Sequence, residues 1–252
     1  MTSPVALITG ASAGLGTDFA RQLSASGARL VLVARRLDRL EALAAELGNA
    51  RAVAIDLAEP GAAERLMADL AAHGEHVDCL VNNAGFGLSG KVAALDAGRQ
   101  RAMIDLNCSV LTELTAMVLP GMVDRGRGGI LNVASTAAFQ PGPGSAVYYA
   151  SKSYVLSFTE ALHVELAGSG VHVTALCPGP TATEFFDVAG YNKGSTLEKL
   201  AVPSAPVVKV GLEALSRNQA VTIPGTFNKV GAQAHRFLPR SLLRKVVTLV
   251  KS

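Results

Sequence analysis

Cysteine is scarce in this chain. Its 3 cysteines, Cys79, Cys108 and Cys177, leave one unpaired in any scheme and each falls in or at the end of an apolar segment. That excludes a complete disulfide framework, and the three are read as reduced and structural. No run of about 18 apolar residues is present, so no segment is expected to span a bilayer. The start, Met1-Thr2-Ser3-Pro4, has neither the basic stretch nor the apolar run of a secretory signal, and a cytoplasmic location is expected. Charge of one sign is also short. The net charge is only +3 and the basic residues are dispersed, which excludes the stripe that nucleic-acid binding needs and leaves a small ligand as the expected partner. Metal-ligand spacing is missing as well. His73 and His76 close a helical segment while Cys79 belongs to the next strand, and no metal requirement is expected.

What is present suits one α/β domain over 1–252: 252 residues, 49% of them apolar, with 25 glycines, enough for a sizeable core around a buried parallel sheet. Strand-like runs near 4–9, 29–34, 51–56, 77–82, 129–135, 171–177 and 220–224 alternate with helical periods near 14–26, 37–47, 60–74, 96–126, 146–168 and 204–217. Alternation of this kind predicts right-handed βαβ units, hence a doubly wound parallel sheet of Rossmann type with helices on both faces and a crevice at the strands' carboxyl ends. Pro120 is expected to bend or divide the long helix over 96–126.

Two segments carry chemistry. After the apolar run Val5-Ala6-Leu7-Ile8 comes Thr9-Gly10-Ala11-Ser12-Ala13-Gly14-Leu15-Gly16, which then opens a helical pattern. Glycines in such a turn let backbone approach a pyrophosphate, and the helix N-terminus stabilises its charge. The spacing differs from the more familiar Gly-x-Gly-x-x-Gly. In Tyr148-Tyr149-Ala150-Ser151-Lys152, the four-residue interval puts Tyr148 and Lys152 on one helix face. A neighbouring ammonium favours phenolate, and a tyrosine brought down from about 10 becomes useful as an acid/base. The second strand ends in Val33-Ala34-Arg35-Arg36 with no carboxylate. An acidic residue there would bind the ribose hydroxyls of NAD, whereas arginine suits the 2′-phosphate of NADP. Arg35 is the first choice and Arg36 the second, with Ser12 assisting, although both arginines could be merely solvated. NADP(H) is preferred and NAD(H) stays open.

These segments, with Asp56-Leu57, Asn82-Asn83-Ala84-Gly85, Asn107, Asn132-Val133-Ala134-Ser135 and Pro178-Gly179 with Thr183, resemble in order the short-chain dehydrogenase/reductase family, in its common single-domain form, from about Val5 to about Thr183. The resemblance implies hydride transfer between a nicotinamide cofactor and a carbonyl or alcohol. It assigns Tyr148 as proton donor and acceptor, Ser135 as donor to the carbonyl oxygen, Lys152 as holder of the nicotinamide ribose and activator of Tyr148, and Asn107 as keeper of a water-linked proton path. It also implies cofactor contacts at Gly10, Ser12, Ala13, Gly14, Leu15 and Gly16, at Arg35 and Arg36, at Asp56 and Leu57, at Asn83, Ala84 and Gly85, at Tyr148 and Lys152, and at Pro178, Gly179, Thr181 and Thr183. Ala13 stands where some NADP-dependent relatives carry a basic residue. Plain structural readings stay open beside these roles: Asp56 or Thr183 as helix caps, Asn82 and Asn83 as turn formers.

Substrate walls are expected from 86–90, 136–147 and 184–200, where Phe86, Phe139, Phe185, Phe186 and Tyr191 join Ser135 and Tyr148 and suit an apolar or aromatic carbonyl compound. The segment 184–200, with Gly190 and Gly194, reads as a substrate lid. The basic amphipathic tail over 236–252 is read as packing against its own domain or a second subunit, in preference to an anionic membrane surface. The resemblance implies a homodimer or homotetramer. The rival function is a noncatalytic NADP(H)-binding redox regulator, against which intact Ser135, Tyr148 and Lys152 argue.

Overall fold

The central strands are continuous apolar runs because both their faces are covered. In the computed structural model, which describes residues 3–192, 194 and 196–233, β1 (Val5–Thr9) is buried at every position and β2 (Arg29–Ala34) from Leu30 to Val33. With β3 (Ala50–Ala54), β4 (Val77–Asn82), β5 (Gly128–Val133), β6 (Val171–Leu176) and β7 (Val221–Thr222) they form a parallel sheet of order β3-β2-β1-β4-β5-β6-β7. The expected doubly wound Rossmann arrangement is therefore present. Strand order reverses between β1 and β4, which opens the crevice there.

Alternation along β1 divides the core. Val5 and Leu7 pack with Leu66, Leu70, Leu114 and Ile130 under α3 (Ala62–Ala72) and α5 (Val110–Asp124). Ala6 and Ile8 pack on the other face with Phe19, Leu40 and Val208 from α1 (Leu15–Ala25), α2 (Leu37–Leu47) and α9 (Ser204–Ser216). Two-residue periodicity thus sends neighbouring side chains into separate layers.

The long helix over 96–126 differs from expectation. Asp96 caps α4 (Ala97–Ile104) by accepting from the Arg99 amide at 2.7 Å. A π-turn at Asp105–Ser109 follows, and α5 continues through Pro120 to Asp124. Pro120 does not divide the helix; the irregularity lies around Asn107, and such π-turns accumulate at functional sites. The whole 28-residue run Ala97–Asp124 is long and apolar enough to match a membrane span, yet it packs against β4, β5 and α6 (Ala146–Glu165) as a core helix. Short helices α7 (Phe185–Ala189), α8 (Thr196–Lys199) and α10 (Thr226–Gln233) fall outside the helical periods expected from the sequence. A parallel bridge joins Thr181 to Val202, so both ends of the segment carrying α7 and α8 are tied down. The tail over 236–252 lies outside the described residues.

Candidate active site

The glycine turn is held by its own neighbours. Thr9 Oγ1 accepts from the amides of Asn83 and Ala84, each at 3.0 Å, and Asn83 Nδ2 donates to the carbonyls of Thr9 and Gly10 at 2.9 and 3.1 Å. A Cβ on Gly16 would lie 2.1 Å from the Gly10 carbonyl oxygen, and one on Gly14, whose φ is +55°, 2.7 Å from Thr183 Cγ2. Only glycine permits this closure. No side chain caps α1, so its first amides face the crevice as orphan donors. A cradle with free amides is what a dinucleotide pyrophosphate requires, and the residues fit that group.

At the adenosine end the two arginines diverge. Arg35 is 74% exposed and reaches Asp56 Oδ2 at 3.8 Å. Arg36 turns back to the glycine turn, where Nε and Nη2 lie 3.3 and 3.2 Å from Ser12 Oγ. Its Nη1 meets Glu184 at 2.8 Å, and Arg39, which had not been singled out, meets the same carboxylate at 2.5 Å. Arg39 and Arg36 together hold the Glu184 carboxyl below the usual range. Asp56 also accepts from the Ala58 amide at 3.0 Å, a turn contact in place of the helix cap left open for it, since α3 starts after Gly61.

At the reacting end, Ser135 leaves β5 and Tyr148 and Lys152 project from α6 one turn apart. Burial pushes the Tyr148 hydroxyl well above its ordinary range, while a hydrogen bond with Ser135 pulls it down. Lys152 is 7% exposed, and its ammonium donates to the Val133 carbonyl at 2.8 Å, 5.9 Å from the Tyr148 ring centroid. Activation of Tyr148 by Lys152 is thus not expressed in this arrangement: the ammonium is engaged by backbone, and burial brings Lys152 itself down to about 8. The π-turn directs Asn107 inward. Its Oδ1 accepts from the Phe86 amide at 3.1 Å, and Nδ2 donates to the Phe86 carbonyl and to Ser151 Oγ, both at 3.0 Å. Ser151, also not foreseen, donates on to the Tyr148 carbonyl at 2.7 Å. Below these groups a buried polar ladder joins β4, β5 and α6: Asn82 Nδ2 donates to Asn132 Oδ1 at 2.9 Å, and Asn132 Nδ2 to Thr159 Oγ1 at 3.0 Å.

One cleft of about 740 Å³ contains both ends. All of the expected cofactor contacts line it except Gly16, which packs beneath the turn, and so do Ser135, Phe86, Phe185, Phe186 and Tyr191. Rings follow one another from Tyr148 to Phe185, Phe186 and Tyr191 at centroid distances of 5.2, 5.9 and 5.8 Å. Two expected residues lie elsewhere. Asn107 sits behind the lining, and Phe139 packs into the cluster of Leu111, Val155, Leu156 and Ile223, where its ring fills core space away from the cleft. Gln140 and Arg99 line the cleft without any motif to announce them.

Residues 4–193 match the short chain dehydrogenase family model. The chain belongs to that family of nicotinamide-dependent oxidoreductases, which act on alcohol and carbonyl groups. It is 41% identical over 187 residues to the NADP-dependent 3-hydroxy acid dehydrogenase YdfG of Salmonella typhi, covering 73% of this chain and 75% of that one. Among solved structures, a short-chain dehydrogenase from Sphingobium yanoikuyae in complex with NADPH is 33% identical with a TM-score of 0.84, covering 96% and 95% of the two chains. The bulky-bulky ketone specific alcohol dehydrogenase of Comamonas testosteroni is 28% identical with a TM-score of 0.78, covering 94% of each chain.

Proposed function

We propose that the protein interconverts an apolar or aromatic carbonyl compound and its alcohol with NADP(H). The observation that carries this reading is the meeting of Ser135, Tyr148 and Lys152 with the aromatic series Phe185, Phe186 and Tyr191 in one cleft. Rings present a polarisable apolar wall to a substrate, and the polar atoms concentrated at Ser135 and Tyr148 supply orientation. The hydride is supplied, or in oxidation accepted, by the nicotinamide when it is bound. Ser135 and Tyr148 donate hydrogen bonds to the carbonyl oxygen, and Tyr148 gives its proton as negative charge develops there. Lys152 would hold a ribose hydroxyl of the bound cofactor in place of the Val133 carbonyl, and its charge would then act on Tyr148. Asn107 holds Phe86 and, through Ser151, the first turn of α6, and it maintains the proton path.

Preference for NADP(H) is supported by the missing carboxylate after β2 and by Arg36, which Ser12 orients at the glycine turn. This geometry favours Arg36 over Arg35 as the principal phosphate ligand. Asp56 and Leu57 fit the adenine side, Asn83, Ala84 and Gly85 its support, and Pro178, Gly179, Thr181 and Thr183 the nicotinamide side. Self-association through the outer faces of α5 and α6, where Val123, Tyr154 and Val164 stand exposed, completes the proposal. The test is NADPH and NADH oxidation with aromatic ketones, diketones, steroids and 3-oxo acids as substrates. Turnover of the bulky apolar members with NADPH is expected. Preference for the 3-oxo acids would overturn the substrate reading, and tight NADPH binding without turnover of any member would favour a redox regulator.

A further inference from the structure

A carboxylate at an NADP-type phosphate site needs explaining. Glu184 bridges Arg36 and Arg39 through its two oxygens, at 2.8 and 2.5 Å, so both cations are already paired with a single carboxylate of this chain. Glu184 also immediately precedes α7, whose Phe185 ring packs 5.2 Å from that of Tyr148. One residue therefore links the adenosine end of the cleft to the wall of the reacting end. We propose that Glu184 is a specificity-determining latch: it competes with the cofactor's 2′-phosphate for Arg36 and Arg39, and its release loosens α7 beside Tyr148.

The competition follows from charge. Two guanidinium groups and one carboxylate leave a net single positive charge, whereas without the carboxylate the pair presents two, matched to a phosphate. An ADP-ribose lacking the 2′-phosphate has no claim on either arginine and leaves the latch closed. Phosphorylated and unphosphorylated cofactors would therefore meet different substrate walls. Glu184 remains 44% exposed, so the ion pairs are screened and each contributes modestly. A weak latch is required here, since a strong one would shut out the phosphate altogether.

The inference rests on the NADP(H) reading, and its test separates the two. Calorimetry with 2′,5′-ADP and with 5′-ADP measures the phosphate site without turnover. In the wild-type protein, tighter binding of 2′,5′-ADP than of 5′-ADP supports the cofactor reading, and the reverse order overturns it. The latch is read from the change on Glu184→Gln. Removing the competing charge is expected to tighten 2′,5′-ADP about fivefold and leave 5′-ADP within about twofold. Unaltered affinity for 2′,5′-ADP, weaker binding of it, or a parallel change for both ligands overturns the latch, whatever the wild-type preference. Hydrogen exchange supplies the second arm. Amides of 185–192 are expected to exchange faster in the wild-type protein with 2′,5′-ADP than with 5′-ADP, and in Glu184→Gln to be fast with either. Equal rates with both nucleotides in the wild-type protein would show that the segment is not coupled to the phosphate site.

Discussion

Two side chains in the cleft have proton affinities shifted from their ordinary values, and the cause of both shifts is the same burial. The Tyr148 hydroxyl is pushed up and the Lys152 ammonium down, so burial disfavours the charged form of each while leaving Lys152 a cation at neutral pH. Replacing Tyr148 with Phe removes the proton but keeps the ring against Phe185. Turnover is expected to fall about 10³-fold while NADPH affinity, read by fluorescence quenching, changes little; residual activity near wild type would sink the mechanism. Lys152 carries a second consequence. Its value falls from an ordinary 10.5 to about 8, so the unfolded chain binds the extra proton between those limits and stability rises with pH across them. Below about 8 the penalty is fully present, on the order of 3 kcal/mol for a buried ammonium, offset in part by its bond to Val133. Lys152→Met is therefore expected to abolish turnover yet stabilise the ligand-free protein at pH 7 by about 1–2 kcal/mol, a rise of several degrees in Tm. That advantage should shrink as pH rises from 8 to 10.5. Calorimetric scans across that range decide it, and a destabilised variant at pH 7 would contradict the account.

At the scale of elements, the placement of Asn107 depends on a π-turn and on a glycine. A Cβ on Gly85 would lie 2.8 Å from Asn107 Oδ1 and 3.7 Å from Lys152 Nζ. Gly85→Ala must push Asn107 off Phe86 and Ser151, and a drop in kcat of at least about tenfold is expected with the melting temperature lowered by only a few degrees. A fall in stability with unchanged kcat would deny Asn107 its positioning role. The glycine turn and the Tyr148–Lys152 pair were legible in the sequence because local backbone geometry or helical spacing demands those residue types, whereas Ser135 was marked only by the family resemblance. The π-turn was not, since one inserted residue leaves hydrophobic periodicity nearly intact, while Pro120 drew attention to the wrong turn of the same helix. Phe139 was misplaced for a related reason: an aromatic residue in a loop declares burial without declaring which cavity it fills. The pairing of Arg36 and Arg39 with Glu184 joins positions 148 and 145 residues apart, and only the folded sheet brings them together.

Over the whole molecule the charge distribution sets what salt can change. A net charge of +3 spread over 252 residues produces little long-range field, so cofactor choice must come from local contacts at Arg35, Arg36 and Arg39. All three are substantially exposed, at 74%, 40% and 46%, and exposed charges are sensitive to screening: the Debye length falls from about 30 Å at 0.01 M to about 3 Å at 1 M ionic strength. On the proposed binding mode the pyrophosphate, common to both cofactors, would instead meet the first amides of α1, which no side chain caps. Salt should then weaken NADPH and NADH together through the shared groups but weaken NADPH further through its 2′-phosphate. The ratio of NADPH to NADH affinity is expected to fall several-fold between those ionic strengths, measured by titration of each cofactor in the absence of substrate. Glu184→Gln should steepen the fall, because more uncompensated positive charge is then available to be screened. A ratio independent of salt in both proteins would mean that shape, and not the arginine cluster, discriminates between the two cofactors.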